Sequence, residues 1–536
     1  MVRVVIEKNR EHGVAREVFG TYHRLASSGV PTHIMTLFVA LAILRLVTST
    51  IGSSPTVLQS DPAVKACQFL QDAFPQLVSF PASDQYNADI KHWAATSTQN
   101  AVCSIEPETA DDVSKIMRII GRRDVMAPFA IKSGGHAYNI GHSSTTGVQI
   151  SMTKFNGLEY NPESGTVTIG SGLTWDQVYR RLEPLGVMVT GGRFDGVGVT
   201  GLSLGGGYSW KTNRYGLTID TIASHNIVLP NGEQVRASNE SFPDLFFGLK
   251  GGFNNFGIVT NITFESHPQT LVYGGLIKYA ANATDAVNEA ISVFSDNNMD
   301  PRAQVWLFQF SISGQFSNAL TVFYDGPAPP NAMFDAFFAI PCISSDVKTR
   351  TFVNFFEVTG ILSFLPEDQF GSALHVVPLT NYPKSLLRKI TREISAFGDR
   401  LTAASNGSQF TVVSGSQPFL NHFSHSRGGA YPHPPSRQVT PFIPFVVYEM
   451  DPKLRKDDQS AFHAFVVSSL KEFSNMIQAE AVAEGVSRWD DILYPNYALD
   501  GTPLELMYGS NVETLREIAA KYDPNRIMRL TGGPRF

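Results

Sequence analysis

The chain has 536 residues, a formal net charge of -6 at pH 7, 43% hydrophobic and 17% charged residues. That size and balance indicate a globular protein of more than one domain. No long basic run is present, so nucleic acid is not an expected partner, and the three cysteines lack zinc-ligand spacing.

Residues 1–55 read as a targeting segment. From Met35 the chain runs MTLFVALAILRLVTSTIGSS, about as long as a signal-peptide core and too short for a membrane span. Small residues suited to cleavage (Thr48, Ser49, Gly52, Ser53) follow. Arg45 interrupts the run, and the polar lead with Lys8, Arg10, Arg16 and Arg24 is long. A secreted or vesicular protein with no stable membrane partner is the expectation. On that route Cys67 and Cys103 can form one staple, leaving Cys342 over. The sequons at Asn239, Asn261, Asn282 and Asn406 are then expected to accept glycan.

Residues 56–96 hold a linker and a helix over Asp61–Phe74, with Val64, Phe69, Leu70 and Phe74 near helical spacing. Across 97–270 strand and helix alternate. AVCSIEP from Ala101 is a strand, and Thr109–Arg123 a helix capped by Thr109 with Asp111 and Asp112 in its first turn. APFAIKS is the next strand and runs into KSGGH, Lys132 to His136. Paired glycines after a strand let N–H groups approach a ligand closely, which suits phosphate oxygens, and His136 stands at the rim. Gly147–Met152 and Thr166–Ile169 are further strands, and Thr174 caps a helix over Trp175–Glu183.

A second glycine-rich stretch, GGRFDGVGVTGLSLGGGYSW, spans Gly191–Trp210. Its glycine density argues against a helix and predicts backbone wrapped around a large ligand. Strands Thr221–Leu229, Gln234–Ala237 and Phe256–Phe264 follow. Residues 271–490 read as a second domain, an antiparallel sheet (Gln304–Phe310, Ala319–Tyr324, Thr440–Tyr448) backed by helices such as Asn331–Ala339 and Asp457–Phe473. Residues 491–536 end in a helix over Asn511–Tyr522. No P-loop occurs. GVGVTG matches the Rossmann spacing at Gly196, Gly198 and Gly201 without its strand–helix context, and Ser203 in GLSLG matches the hydrolase elbow only as a pattern.

KSGGH, GVGVTGLSLGGGYSW, YGLTIDTI, PDLFFGLKGGFNNFGIVT and YPNY…LREIAAKYDPNRIM, in this order, resemble the berberine-bridge-enzyme-like group of the vanillyl-alcohol-oxidase superfamily. The resemblance covers about Cys67 to Met528 and implies an α+β fold. A two-part PCMH-type FAD-binding domain is joined by a substrate domain, an antiparallel sheet backed by helices, and a C-terminal segment returns to the FAD domain.

The resemblance implies FAD, a small-molecule substrate and O2, and leaves the oligomeric state open. His136 matches the histidine bonded to the flavin 8α-methyl. Lys132, Ser133, Gly134, Gly135 and Ala137 match the pyrophosphate cradle, continued by Gly141, His142 and Ser143. Val197, at the oxygen-gating position, and Gly198, Thr200, Gly201, Gly205, Gly206, Ile258 and Asn496 complete the expected cofactor contacts. Many members add a second bond from a cysteine. Phe194 occupies that position here, so a single 8α-histidyl linkage is expected.

Tyr494 and Tyr208 are the expected catalytic residues, with Tyr208 and Trp210 near the flavin ring. Tyr494 is the expected base, with a depressed pKa; the alternative is a tyrosine that only packs. Tyr497 is expected to pack, and Asp195 is an outside candidate. The implied chemistry is hydride transfer from a substrate C–H to flavin N5 as a base takes a proton, then reoxidation by O2 to H2O2. Expected substrates are small organic alcohols or amines of secondary metabolism, with Phe308, Phe310, Phe352, Phe355, Phe356 and Phe364 hinting at an aromatic one. A carbohydrate oxidase of the same fold and a non-catalytic flavin binder are the alternatives.

Overall fold

A reciprocal cap starts the helix over Ala110–Ile120. In a computed structural model describing residues 61–312, 314–360, 369–404, 410–450 and 456–536, Thr109 Oγ1 accepts from Asp112 N at 3.2 Å while Asp112 Oδ2 accepts from Thr109 N at 3.0 Å. The residues 1–55, Phe364 and Asn406 lie outside the described residues.

Helix α1 (Pro62–Ala73) buries Ala66, Cys67 and Leu70, and a disulfide ties Cys67 to Cys103 at the start of strand β2. Strands β1 (Val78–Ser79), β2 (Cys103–Ile105), β3 (Phe129–Lys132) and β4 (Val148–Ser151) form a sheet in the order β1-β2-β4-β3. β4 runs parallel to both β2 and β3, which requires the crossover helix α2 (Ala110–Ile120). α2 stops before the expected Arg123 because Gly121 caps it.

Five antiparallel strands follow, β5 (Leu158–Asn161), β6 (Thr166–Gly170), β7 (Ile222–Val228), β8 (Gln234–Ala237) and β9 (Ile258–Glu265), in the order β5-β6-β9-β7-β8. Helix α3 (Trp175–Leu182) begins after Thr174 as expected. Two expectations fail here. Asn261 lies in β9, paired with both Gly170 and Asn226, and its Oδ1 is buried, unlike the exposed loop a glycan needs. The glycine-rich stretch does contain a helix, α4 (Val199–Leu204): Gly198 and Gly205 are its caps, and only Gly201 lies inside. Glycine at a helix end carries little of its mid-helix cost.

After α5 (Pro243–Leu249) and β9, the chain builds a nine-stranded sheet. Its main path includes β10 (Val272–Ala280), β11 (Ala303–Ile312), β12 (Gln315–Tyr324), β13 (Phe370–Leu374), β14 (Phe410–Ser416) and β15 (Thr440–Glu449), ordered β10-β12-β11-β14-β15-β13 with antiparallel neighbours. Strand alternation divides its side chains. Val305 and Leu307 face a cluster with Ile390, Ile394 and Phe397 of helix α6 (Lys384–Ala404) and Leu470 and Phe473 of helix α7 (Lys456–Ala483). Trp306, Phe308, Ile443 and Phe445 join the cluster that holds Tyr208 and Tyr494.

The expected helix over Asn331–Ala339 shrinks to Asp335–Phe338. It follows Pro330, and Ala332 is left-handed at φ 64°. Conversely α7 runs past the expected Phe473 to Ala483, since no glycine or proline interrupts it. Helix α8 (Asn511–Tyr522) matches its expected span, and Ile527 and Met528 then enter the core beside Ile105 and Val148. Among the described residues no helix is long and apolar enough to cross a membrane.

Candidate functional site

β3 delivers the chain into the KSGGH turn, where Gly135 has φ 69°, a conformation costly for any residue with a Cβ. A Cβ at Gly134 would lie 2.4 Å from both Gly196 O and Gly198 N. The two glycine-rich stretches therefore meet backbone to backbone. Ser133 Oγ donates to Ser171 O at 2.5 Å and clamps the turn to the strand end after β6.

This turn borders a cavity of about 250 Å³ that opens to solvent, near the lower end of the roughly 300–1,000 Å³ of small-ligand pockets. The space is bounded by residues from the four-, five- and nine-stranded sheets, among them Ile131, Ile258 and Trp306. Its walls include Ser133, Gly134, Gly135, His136, Ala137, His142, Ser143, Val197, Gly198, Thr200, Gly201, Tyr208, Ile258, Tyr494 and Asn496.

Four expected contacts stand off the wall. Lys132 braces the turn from behind, its Nζ donating to Ala88 O at 3.0 Å and Lys91 O at 3.2 Å. Gly141 donates to Ser144 Oγ and packs against Gly532. Gly205 and Gly206 make room for other residues: an added Cβ would lie 2.1 Å from Asn496 Oδ1 and 2.8 Å from Tyr494 Cε2, respectively. Trp210 also stays in the aromatic core, against Trp306 and Phe355. Phe308 reaches the cavity, whereas Phe310, Phe352, Phe355 and Phe356 are core. Asp195 is exposed, and Ser203 Oγ donates to its own helix at Val199 O.

The imidazole of His136 stacks on Trp93, with ring centres 4.6 Å apart and planes 19° from parallel. Burial lowers its pKa from 6.5 to about 4, so the ring is neutral and holds a nitrogen lone pair at physiological pH. Nearby, Ser143 Oγ lies 3.0 Å from His92 Nε2, a ring also brought to about 4, chiefly by burial.

Tyr494 departs from its expected chemistry. Its oxygen accepts from Gly207 N and Asn496 Nδ2, both at 2.8 Å, yet burial pushes the phenol above its ordinary value rather than below it. Tyr208 is likewise pushed up by burial, with its hydroxyl 3.2 Å from His422 Nε2. Tyr497 is half-buried on the wall, and its hydroxyl oxygen accepts from Arg193 Nη2 at 3.3 Å.

Arg193 is the residue that sequence reasoning passed over, although it stands one position before Phe194. It is buried on the cavity wall. Trp93 and Tyr138, around His136, were also missed, as was the tail that brings Gly533 and Pro534 to the wall. Asn139 Nδ2 donates to Ala498 O at 2.9 Å and Asp500 N returns a bond to Asn139 Oδ1 at 3.1 Å, which locks the loop after KSGGH to the segment after YPNY.

The wall suits FAD on three counts. Thr200 Oγ1 and Ser171 Oγ are buried without a partner, a Cβ at Gly201 would meet nothing within 4 Å, and the neutral His136 has a nucleophilic nitrogen. Phe194, packed on Trp306, offers no thiol.

Residues 101–238 match a family model described as an FAD binding domain. The FAD-dependent monooxygenase drtC of Aspergillus calidoustus is 29% identical over 512 residues, 92% of this chain and 93% of that protein. Among solved structures, wild-type BBE-like 1 of Physcomitrella patens has a TM-score of 0.68 at 18% identity, covering 88% of this chain and 98% of that one. The glucooligosaccharide oxidase of Acremonium strictum, described with a 6-S-cysteinyl, 8α-N1-histidyl FAD, has a TM-score of 0.67 at 16% identity, covering 86% and 97%. An FAD-binding domain on the glycine-rich half, an FAD-dependent relative along nearly the whole length and a fold shared with BBE-like 1 lead to one assignment: this chain is an FAD-linked oxidoreductase with the fold of the berberine-bridge-enzyme-like proteins.

Proposed function

We propose that the chain is an oxidase that takes hydride from a small organic alcohol or amine of secondary metabolism, with FAD held by one covalent bond to His136. The observation that carries this reading is the neutral imidazole of His136 at the rim of the glycine cradle, stacked on Trp93. Bound FAD would accept the hydride and reduce O2 to H2O2.

The chain's own groups do the rest. Ser133 to Ala137, Ser143 and the open face at Gly201 hold the cofactor, and Val197 stands on the wall where O2 would enter. Tyr494 and Tyr497 are the candidate bases on the wall. Tyr494 is held neutral by burial and its oxygen already accepts two N–H bonds. Tyr497 stands on the same wall, where its oxygen accepts a single N–H bond, from the Arg193 guanidinium, and we assign it the substrate proton. The Cys67–Cys103 bond supports an oxidising, secretory environment, and exposed Asn239 and Asn282 suit glycan there. A carbohydrate oxidase is disfavoured because Phe194 leaves no second attachment.

Acid precipitation of the purified protein tests the linkage: colour should stay in the pellet and map to the His136 peptide, and His136→Ala should release it. Peroxide release, set against incorporation of labelled oxygen into product, then separates oxidase from monooxygenase. Oxygen incorporation without peroxide would overturn the oxidase reading.

A further inference from the structure

Arg193 stands out against the treatment of other buried cations. Lys211 has Asp325 at 2.8 Å and Arg350 has Asp346 at 3.0 Å. Arg535 and Lys250 have no such partner among the described residues and direct N–H groups to backbone carbonyls, among them Thr531 O and Arg427 O. Arg193 has neither arrangement. It is 4% exposed, and its polar partners are Gln417 Oε1 at 2.6 Å and Tyr497 Oη at 3.3 Å. Its guanidinium carbon sits 3.7 Å from the ring centre of Trp306. These two bonds use two of the five N–H donors of a guanidinium.

Among the described residues the cavity wall supplies no counter-charge: none that lines it is Asp or Glu, and apart from two histidines Arg193 is the one ionisable base among them. A second unsatisfied donor lies on the same wall, since Trp306 Nε1 is buried without a partner. A buried, unpaired charge is costly and is retained where a ligand neutralises it. Trp306 belongs to β11, and Gln417 follows β14. The anion is therefore met on the side of the nine-stranded sheet.

We propose that Arg193 anchors an anionic oxygen of the substrate, so that the natural substrates are aromatic or polyketide-like molecules bearing a carboxylate. The planar guanidinium matches a carboxylate by two parallel N–H···O bonds, and the surrounding rings of Trp306, Tyr208 and Phe419 strengthen the contact by excluding water. This rests on the oxidase reading for the role of the cavity, but the contact itself requires only binding.

The test is calorimetric titration of the holoprotein with paired probes, benzoate, cinnamate and 2-naphthoate against the corresponding primary alcohols. At least one acid is expected to bind ~10- to 100-fold more tightly than its alcohol. In R193Q that preference should collapse to within about twofold, and in R193K, which keeps the charge but not the fork, it should fall by a smaller factor. Flavin content and Tm are checked in each variant, and the wild-type preference stands as a test even if R193Q fails to fold. Absence of any acid preference in the wild type, including no binding by any probe, or its survival in R193Q, overturns the proposal. Acid binding with no flavin reduction by any donor would instead count against the oxidase reading alone.

Discussion

The indole of Trp93 lies face to face with the imidazole of His136, and Trp93 N donates to Gly135 O at 3.0 Å. One residue thus fixes both the turn and the ring that it presents. Trp93→Ala should leave flavin bound but slow its covalent attachment by about 10-fold or more, because a small misplacement of a reacting group costs rate steeply. The acid-precipitable fraction followed over time measures this. Attachment at the wild-type rate would refute the positioning role.

Several buried histidines make the fold acid-labile. Burial lowers His92, His136 and His375 to about 4 and His225 and His422 to about 3. In the unfolded chain each ring takes a proton as pH falls through about 6.5. The folded molecule refuses it until pH 4 or 3. Between those limits the unfolded state binds more protons, so stability is lost as pH drops from 6.5. Tm should be level from pH 8 to 7 and fall steadily toward pH 4.5. His225 has both ring nitrogens buried without partners, so His225→Leu should flatten the slope; a slope unchanged in that variant would remove His225 from the account.

Glycines 134 and 201 should respond oppositely to alanine. At Gly134 the new methyl overlaps backbone atoms of Gly196 and Gly198, and destabilisation of about 1–3 kcal/mol is expected from overpacking. At Gly201, inside α4, the methyl meets open space, and helix propensity should add up to ~1 kcal/mol of stability. Because that methyl faces the cavity wall, flavin content should drop although Tm does not. Denaturant midpoints and the flavin-to-protein absorbance ratio report both effects.

Tyr494 and Tyr497 can be told apart by removing one oxygen at a time. Tyr494→Phe strips the acceptor from Gly207 N and Asn496 Nδ2, and two stranded donors should cost about 1–3 kcal/mol each. Tyr497→Phe removes only an acceptor of Arg193, so the fold should hold while kcat falls by about 10²–10⁴. If Tyr494→Phe instead keeps its Tm and loses turnover, Tyr494 is the base.

Features written locally were legible in the sequence. The Thr109 and Thr174 caps, the KSGGH turn and α8 depend on residues a few positions apart. The helix α4 was missed because glycines serving as caps were counted as breakers. Lys132 was misplaced because a lysine in a phosphate-binding motif is read toward the ligand, whereas the carbonyls of Ala88 and Lys91 draw it away. Arg193 gave no local sign: its partners Gln417 and Tyr497 are 224 and 304 positions distant. Burial of Tyr494, which reverses its expected acidity, is likewise a property of packing.

The bond from Asn139 to Ala498 spans 359 positions of sequence. A pocket whose facing walls are that distant along the chain has no partial version. It forms only when the last long loop closes, a slow event for a chain of high contact order. Yellow colour is then a census of finished molecules: the ratio of flavin to protein absorbance counts the correctly folded fraction of a preparation, and chains arrested short of closure emerge colourless.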